Sequence, residues 1–202
     1  AYETKEFKNE PDTDWSRKEN REWVDQIISK WNFNSNREPI IIPKVINGEE
    51  IYKGAHLQES IDKSQFKNNI VVSKFLLCNE EEIELAVKVA QEDPDGWRNY
   101  SIEERHKVLS VVAEELRKSR GDLIGAMSAN TGKVFAESDV EISEAIDFAE
   151  FYPHSIRFLE DLHSISYRGK GVGLVIPPWN FPCAIPAGGV ITALAAGNTV
   201  LL

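Results

Sequence analysis

Three prolines near the carboxyl end of the chain enclose the segment whose side chains are best placed to do chemistry. Pro177, Pro178 and Pro182 limit the backbone, so that Trp179-Asn180-Phe181 presents an amide between two aromatic rings in a fixed loop. Such a loop is a candidate ligand site. From the pattern alone, the simpler interpretation is a rigid turn with a core tryptophan and a capping asparagine.

The elements around this loop predict a βαβ unit. Residues 174–176 form a short apolar strand, and the mostly small residues from about 184 to 196 allow a helix to lie close against a sheet. Gly197 stands where a left-handed residue ends a helix, and residues 199–202 are typical of a buried strand. Because open α/β sheets bind ligands at the carboxyl ends of their strands, the loop lies where a site is expected.

The string IPPWNFP at residues 176–182, followed by a helix and AAGNTVLL, closely resembles the aldehyde dehydrogenase superfamily, in which PWNFP is a specific signature. The resemblance implies that Asn180 donates its side-chain amide to the oxyanion formed when a cysteine thiolate attacks an aldehyde. A neutral donor fixed by prolines suits this role, because preorganised hydrogen bonds stabilise charge without rearranging. The resemblance also implies that Phe181 lines the aldehyde channel. The nicotinamide end of NAD(P) is expected beside the backbone of four residues: Ile176, Pro177, Pro178 and Trp179.

The composition is that of an ordinary globular protein, with 42% hydrophobic and 28% charged residues in a chain of 202. A net charge of −10 argues against nucleic acid or an anionic membrane surface as the main partner, since both attract basic patches. The sequence shows no apolar run of membrane-spanning length and no signal-peptide layout at its start, which predicts a cytoplasmic protein.

The cysteines and histidines do not predict a metal site. Cys78 and Cys183 are too few and too far apart for a ligand set or a disulfide framework, and Cys183 is interpreted as a packing residue. The glycines of GKGVG at residues 169–173 precede a strand instead of following one, which excludes a phosphate-binding loop. The four histidines show no ligand spacing: His56, His106, His154 and His163.

The first part of the chain predicts an arm and a helix. The polar residues through Trp15 are expected to lie on the surface of something larger. Ser16 and Glu19 form a capping-box pattern before a helix, which the polar residues 32–38 end. The apolar side of this helix is expected to be Trp23, Val24, Ile27, Ile28 and Trp31.

Asn47-Gly48 is the strongest hairpin signal in the sequence, because both turn positions require a positive φ. The runs 40–46 and 49–52 on either side are the expected strands. Residues 53–68 are expected to be irregular, and the β-branched run 70–77 predicts a further strand.

Several helices are predicted between residues 78 and 163. Two begin with capping pairs, Asn79 with Glu82 and Ser101 with Glu104, and a third runs from about Leu123 to a stop near Gly132. The expected apolar faces are Ile83, Ala86, Val87 and Ala90 in the first and Val108, Leu109, Val111, Val112 and Leu116 in the second. Residues 154–162 are a final helical stretch.

The helix before that stretch carries acidic residues opposite an apolar face. Ser138 and Glu141 are expected to open it, and its apolar residues are Ile142, Ala145, Ile146 and Ala149. A solvated face is the simpler interpretation of the acidic row: Glu137, Asp139, Glu141, Glu144 and Asp147. Residues 131–148 resemble a helix of the 1-pyrroline-5-carboxylate dehydrogenase branch in which a glutamate borders the substrate channel. This resemblance implies that Glu141 faces the amino group of glutamate semialdehyde.

The resemblance covers the whole chain, laid along the N-terminal portion of an aldehyde dehydrogenase. It implies an α/β fold, an incomplete Rossmann-like NAD-binding domain with an N-terminal helical arm and a β-hairpin. The expected divisions are an arm and helix (1–38), a hairpin and strand (39–77), helices (78–163) and a strand–loop–helix–strand unit (164–202). The arm and hairpin look like the start of a 1-pyrroline-5-carboxylate dehydrogenase module, including the version fused behind a proline dehydrogenase.

The resemblance implies a parent enzyme that oxidises L-glutamate 5-semialdehyde, the open form of 1-pyrroline-5-carboxylate, to L-glutamate with NAD in proline degradation. That parent is expected to be a homo-oligomer, and fusion to a proline dehydrogenase module is open. The family's nucleophilic cysteine and general-base glutamate are not found, so the 202 residues alone are expected to be inactive.

Two alternatives stay open. One is another NAD(P)-dependent aldehyde dehydrogenase, for example one that acts on succinate semialdehyde. The other is a non-catalytic interaction module, which is disfavoured because a chain that ends at Leu202 within an apolar strand leaves an open sheet edge.

Overall fold

Helices form the main apolar core, and a smaller buried cluster of Phe33, Val72 and Ala129 lies where strand β5 (Val71–Leu76) meets the helices. The computed structural model describes residues 7–34, 36–162 and 164–202. The arm is therefore described from Phe7 onwards, and His163 lies outside the described residues. The elements in chain order are α1 Lys18–Trp31, β1 Ile40–Ile42, β2 Lys44–Ile46, β3 Glu49–Ile51, β4 Leu57–Ile61, β5 Val71–Leu76, α2 Glu80–Glu92, α3 Ile102–Lys118, α4 Arg120–Thr131, α5 Phe135–Ser155, β6 Val172–Leu174, α6 Ala184–Ala195 and β7 Thr199–Leu201.

Helix α5 lies at the centre of the core. Its predicted apolar face is confirmed, because Ile142, Ala145, Ile146 and Ala149 are fully buried. The predicted start at Ser138 is wrong, since α5 already begins at Phe135 and Ser138 is a buried residue within it. The core residues packed around α5 come from four other helices: Ile27, Leu109, Ala113, Ile124, Met127, Ile191 and Ala195.

The capping pattern predicts two of three helix starts correctly. The reciprocal hydrogen bonds of a capping box are present at Asn79 before α2 and at Ser101 before α3. The prediction for Ser16 is wrong, because α1 begins at Lys18. The Ser16 amide and hydroxyl instead donate to Asp14 Oδ1, at 3.0 and 2.6 Å, in a local turn.

The apolar face of α3 differs from the prediction. Val108, Val111 and Val112 are exposed, whereas Leu109 is buried as expected. The face toward the core instead includes Ile102, Arg105 and Ala113. Because the buried face includes the charged residue Arg105, its helical spacing cannot be recognised from the apolar residues alone. On α2, Ile83 is likewise half exposed, and Ala90 is the buried residue.

The hairpin at Asn47-Gly48 is confirmed. β2 and β3 pair antiparallel, and the two turn residues have φ of 52° and 75°. The expected first strand is split at Pro43, which has no N–H to donate, and β1 pairs in parallel with β5 instead. The expectation that residues 53–68 are irregular is wrong for residues 57–61, because they form β4 and pair antiparallel with β5. Most of β4 is exposed, so it lacks an apolar strand pattern.

The predicted βαβ unit is confirmed, but its first strand is Val172–Leu174 and not residues 174–176. β6 and β7 pair in parallel, with Val172 opposite Thr199, and α6 forms the crossover. Gly197 has a φ of 79°, the left-handed conformation expected after the helix. A side chain at Gly188 would lie 2.8 Å from Phe148, so small residues do allow close packing of α6. The expected burial of the last strand is wrong, because all of β7 is only half-buried.

Candidate functional site

The loop between β6 and α6 projects from the carboxyl end of its strand. The Val175 amide continues the parallel ladder with a 2.9 Å hydrogen bond to the Leu201 carbonyl. The chain then leaves the sheet, and the side chains of Ile176 and Trp179 are 82% and 78% exposed. A core tryptophan is therefore excluded.

Asn180 does not cap the following helix. The residue before α6 is Cys183, and no side chain caps that position. Within the described part of the chain, no hydrogen bond involves the Asn180 side chain, and the residue is exposed. Both halves of the simpler interpretation of this loop, a core tryptophan and a capping asparagine, are wrong.

Glu141 holds the other end of the loop. Its Oε1 accepts hydrogen bonds from the backbone amides of Cys183, at 2.7 Å, and Ala184, at 3.0 Å. These amides begin α6, and the start of a helix favours a negative charge. Glu141 is 2% exposed, so the interpretation of it as part of a solvated acidic face is wrong. Asp139, fully buried, and Asp147, half-buried, are further exceptions, whereas Glu137 and Glu144 are exposed as expected.

Lys133 is a site residue that the sequence analysis missed. Its Nζ lies 2.6 Å from Glu141 Oε2 and 3.2 Å from the Asn180 carbonyl oxygen. The same ammonium lies 4.0 Å from the centroid of the Phe181 ring. The only signal in the sequence is a lysine just before α5. Of the site residues that it contacts, Glu141 is 8 positions away, Asn180 is 47 and Phe181 is 48.

Cys183 packs against the core, as predicted. Burial and, to a lesser extent, the negative charge of Glu141 raise the pKa of its thiol to about 11, although the positive charge of Lys133 acts in the opposite direction. Since the thiolate is the nucleophilic form, Cys183 is not the nucleophile of a reaction near neutral pH.

The predicted site residues fall into two groups. Asn180, Phe181 and Glu141 are brought together by Lys133, which contacts all three. The four residues 176–179 form a neighbouring segment, exposed at both ends, on the way from β6. The described residues contain no cluster of His, Cys, Asp or Glu suited to a metal ion.

A cavity near this unit lies at the opposite end of α6. It has a volume of about 1370 Å³, and its lining includes Arg98, Arg105 and Gly197. Both arginines already donate to carbonyls at helix ends, at 2.5 Å to Ala90 and 3.1 Å to Ala195. This cavity is thus separate from the loop, and its arginines stabilise the fold.

The parallel βαβ unit and the helices around it define an α/β protein, and the exposed loop lies at the carboxyl end of a strand, where open α/β sheets bind ligands. Residues 52–202 match the Aldehyde dehydrogenase family, and the chain belongs to that family. The predicted family and fold class are thereby confirmed.

No helix among the described residues combines the length and apolar character needed to cross a membrane.

Three similar proteins extend this assignment. The 1-pyrroline-5-carboxylate dehydrogenase of Staphylococcus aureus (strain MW2) is 32% identical, over 98% of this chain and 39% of its own length. Proline utilization A (PutA) from Bdellovibrio bacteriovorus, inactivated by N-propargylglycine, is 31% identical with a TM-score of 0.88, over 99% of this chain and 21% of that one. The Thermus 1-pyrroline-5-carboxylate dehydrogenase with bound NAD is 26% identical with a TM-score of 0.86, over 98% of this chain and 40% of that one. The chain therefore spans about two fifths of the length of the curated relative.

Proposed function

We propose that this chain is part of an NAD-dependent dehydrogenase that oxidises L-glutamate 5-semialdehyde, the open form of 1-pyrroline-5-carboxylate, to L-glutamate. The observation that carries the proposal is the loop at Asn180: the Asn180 side chain is exposed, while the loop backbone is held by Lys133, just before α5, and by Glu141 in α5. The names of the similar proteins supply the substrate and the cofactor.

Asn180 has the role of oxyanion donor in this proposal. An amide that makes no hydrogen bond within the described chain is available to a reacting oxygen. Its backbone is anchored by the Lys133 ammonium, which limits how far the amide moves as charge develops. Phe181, 39% exposed beside Asn180, lines the aldehyde channel.

The segment 176–179 is proposed to lie beside the nicotinamide end of NAD. When NAD is bound, its nicotinamide ring is the group that accepts a hydride. The side chains of Ile176 and Trp179 are largely exposed and offer an apolar surface for a flat ring. Pro177 and Pro178 fix the backbone between them. The residues present thus fit the cofactor end that the family resemblance implies.

Glu141 is proposed to border the aldehyde channel, behind Phe181. Since its oxygens already accept bonds from Cys183, Ala184 and Lys133, a substrate amino group would have to share Glu141 Oε2 with Lys133. A Glu141→Gln change tests recognition of that amino group. Equal losses of activity toward glutamate semialdehyde and a simple aliphatic aldehyde would refute it.

The activity is proposed for a polypeptide that contains this chain together with the family's nucleophilic cysteine and general base. We propose that the 202 residues alone have no dehydrogenase activity, because the mechanism needs a thiolate and Cys183 stays protonated near neutral pH. The parent is proposed to be a cytoplasmic homo-oligomer. Similarity to PutA supports the possibility that it is fused to a proline dehydrogenase module.

Asn180→Ala in the longer polypeptide tests the proposal. Loss of one oxyanion donor is expected to lower kcat about 100-fold or more, with the Kd for NAD unchanged. Asn68→Ala, at an exposed asparagine that ends a short 3-10 helix before β5, is the matched control and should leave kcat unchanged. An unchanged kcat for Asn180→Ala would refute the oxyanion role.

A further inference from the structure

We propose that Lys133 is a positioning residue, which holds the backbone of the Asn180 loop in its working geometry. The proposal rests on the oxyanion role given to Asn180 above. It adds a residue of the α4–α5 junction, outside the loop signature, to the set on which turnover depends.

Lys133 and Glu141 together fix the loop at four points over five residues. Lys133 holds the carbonyl of Asn180 at 3.2 Å and the ring of Phe181 at 4.0 Å. Glu141 holds the amides of Cys183 and Ala184. A loop with several prolines and two mainly exposed apolar side chains makes few packing contacts, so these polar contacts determine where Asn180 lies.

The ion pair between the two side chains explains why a cation is needed at this position. The Glu141 side chain is 1% exposed and that of Lys133 is 11% exposed, so each charge requires a partner. An ammonium has three N–H donors. Glu141 and the Asn180 carbonyl accept two of them, and the Phe181 ring provides a third favourable contact.

The backbone of Lys133 is itself well fixed. Gly132 ends α4 with a φ of 78°, and its amide donates to the Ser128 carbonyl at 2.9 Å. The Lys133 amide donates to Thr131 Oγ1 at 3.3 Å, and α5 begins two residues later, at Phe135. The ammonium therefore reaches the loop from a fixed point between two helices.

A double-mutant cycle distinguishes a positioning role from a purely structural ion pair. In the longer polypeptide, Lys133→Met is expected to lower kcat about tenfold or more, because small displacements of a reacting group are costly. The KM for NAD should be unchanged. In an Asn180→Ala background the same change should alter kcat less than about twofold, since the group that Lys133 positions is gone. Equal losses in both backgrounds would overturn the proposal.

The cycle also separates the two proposals. If Asn180→Ala alone leaves kcat unchanged, the oxyanion role fails. If Asn180→Ala lowers kcat but Lys133→Met does not, only the positioning role fails. Lys133→Arg is the conservative variant, because it keeps a cation that can donate to both acceptors, and it should retain kcat within about threefold.

Lys133→Met leaves the Glu141 carboxylate buried without its cation, so that variant can fail to fold. Lys133→Met combined with Glu141→Gln removes both charges and keeps an oxygen that accepts from Cys183 and Ala184. This variant should fold and keep slow hydrogen exchange at those two amides. Its kcat should also stay below that of the wild type, because no ammonium donates to the Asn180 carbonyl. Wild-type turnover in this double variant would overturn the proposal.

Discussion

The carboxylate of Asp139 in helix α5 binds Thr13 of the N-terminal arm. Oδ2 accepts the Thr13 amide at 2.6 Å, and Oδ1 accepts the Thr13 hydroxyl at 2.7 Å. Two turns further along α5, Asp147 accepts from the Asn9 side chain and the Glu10 amide in the same way. Two of the five residues of the acidic row that sequence patterning assigns to solvent therefore bind the N-terminal arm, which explains how a polar arm is fixed on a helix.

Asp139→Asn should destabilise the fold. The oxygen of an amide can still accept from the Thr13 amide, and its NH₂ group can donate to the Thr13 hydroxyl. That NH₂ group would then face the Arg120 guanidinium, which is itself a donor, and the ion pair with Arg120 would be lost. A buried group left without a partner costs about 1–3 kcal/mol, which urea unfolding can measure. Glu137→Gln, at an exposed residue of α5, is the matched control and should change stability by less than about 0.5 kcal/mol. Equal midpoints for the two variants would contradict the anchoring role of Asp139.

The two cysteines should differ in their reactivity toward iodoacetamide at pH 8. Cys78 is exposed, whereas burial and the charge of Glu141 raise the pKa of Cys183 to about 11. Low thiolate content and restricted access should together make alkylation of Cys183 roughly 100-fold slower, measured by mass spectrometry of the labelled peptides.

Urea provides the control for this comparison, because unfolding should bring the two rates together. Cys78→Ser allows Cys183 to be followed alone. Alkylation of both cysteines at similar rates in the folded chain would show that Cys183 is accessible and would remove the argument that it is a packing residue.

Local signals in the sequence predict local structure well. The Asn47-Gly48 turn, the capping boxes at Asn79 and Ser101, and Gly197 are all found where the pattern places them. Each depends on hydrogen bonds or φ values within a few residues. The error at Ser16 is local, because its amide and hydroxyl donate to Asp14. At β1 a distant partner decides, and the strand leaves its expected hairpin to pair with β5.

The candidate site shows the same division. A signature of seven residues identifies the loop and Asn180, but it contains nothing about what holds the loop. The loop is held by Lys133, which contacts Asn180 at a distance of 47 residues along the chain. It is also held by Glu141, which contacts Cys183 and Ala184 at distances of 42 and 43 residues. Charged residues on an amphipathic helix look like a solvated face unless the element that covers them is known.

Glu82 links two elements and should make stability depend on pH. Its carboxylate accepts from the Asn79 amide at the start of α2 and from the Lys44 ammonium of β2. The Lys44 hydrogen bond, followed by that of Asn79, lowers the pKa of Glu82 below its ordinary value of 4.5. A lowered pKa in the folded state stabilises the fold above about pH 4.5, and this contribution is lost as the pH falls through the folded-state pKa.

Glu82→Gln should therefore lose less stability than the wild type between about pH 5 and pH 3, because it has no carboxylate to protonate. Since other carboxylates also titrate in this range, the difference between variants is the quantity to measure, by urea unfolding at each pH. Glu81→Gln, at an exposed neighbour in the first turn of α2, should follow the wild-type curve. If Glu82→Gln and Glu81→Gln gave the same pH dependence, the bonds to Lys44 and Asn79 would not stabilise the ionised carboxylate of Glu82.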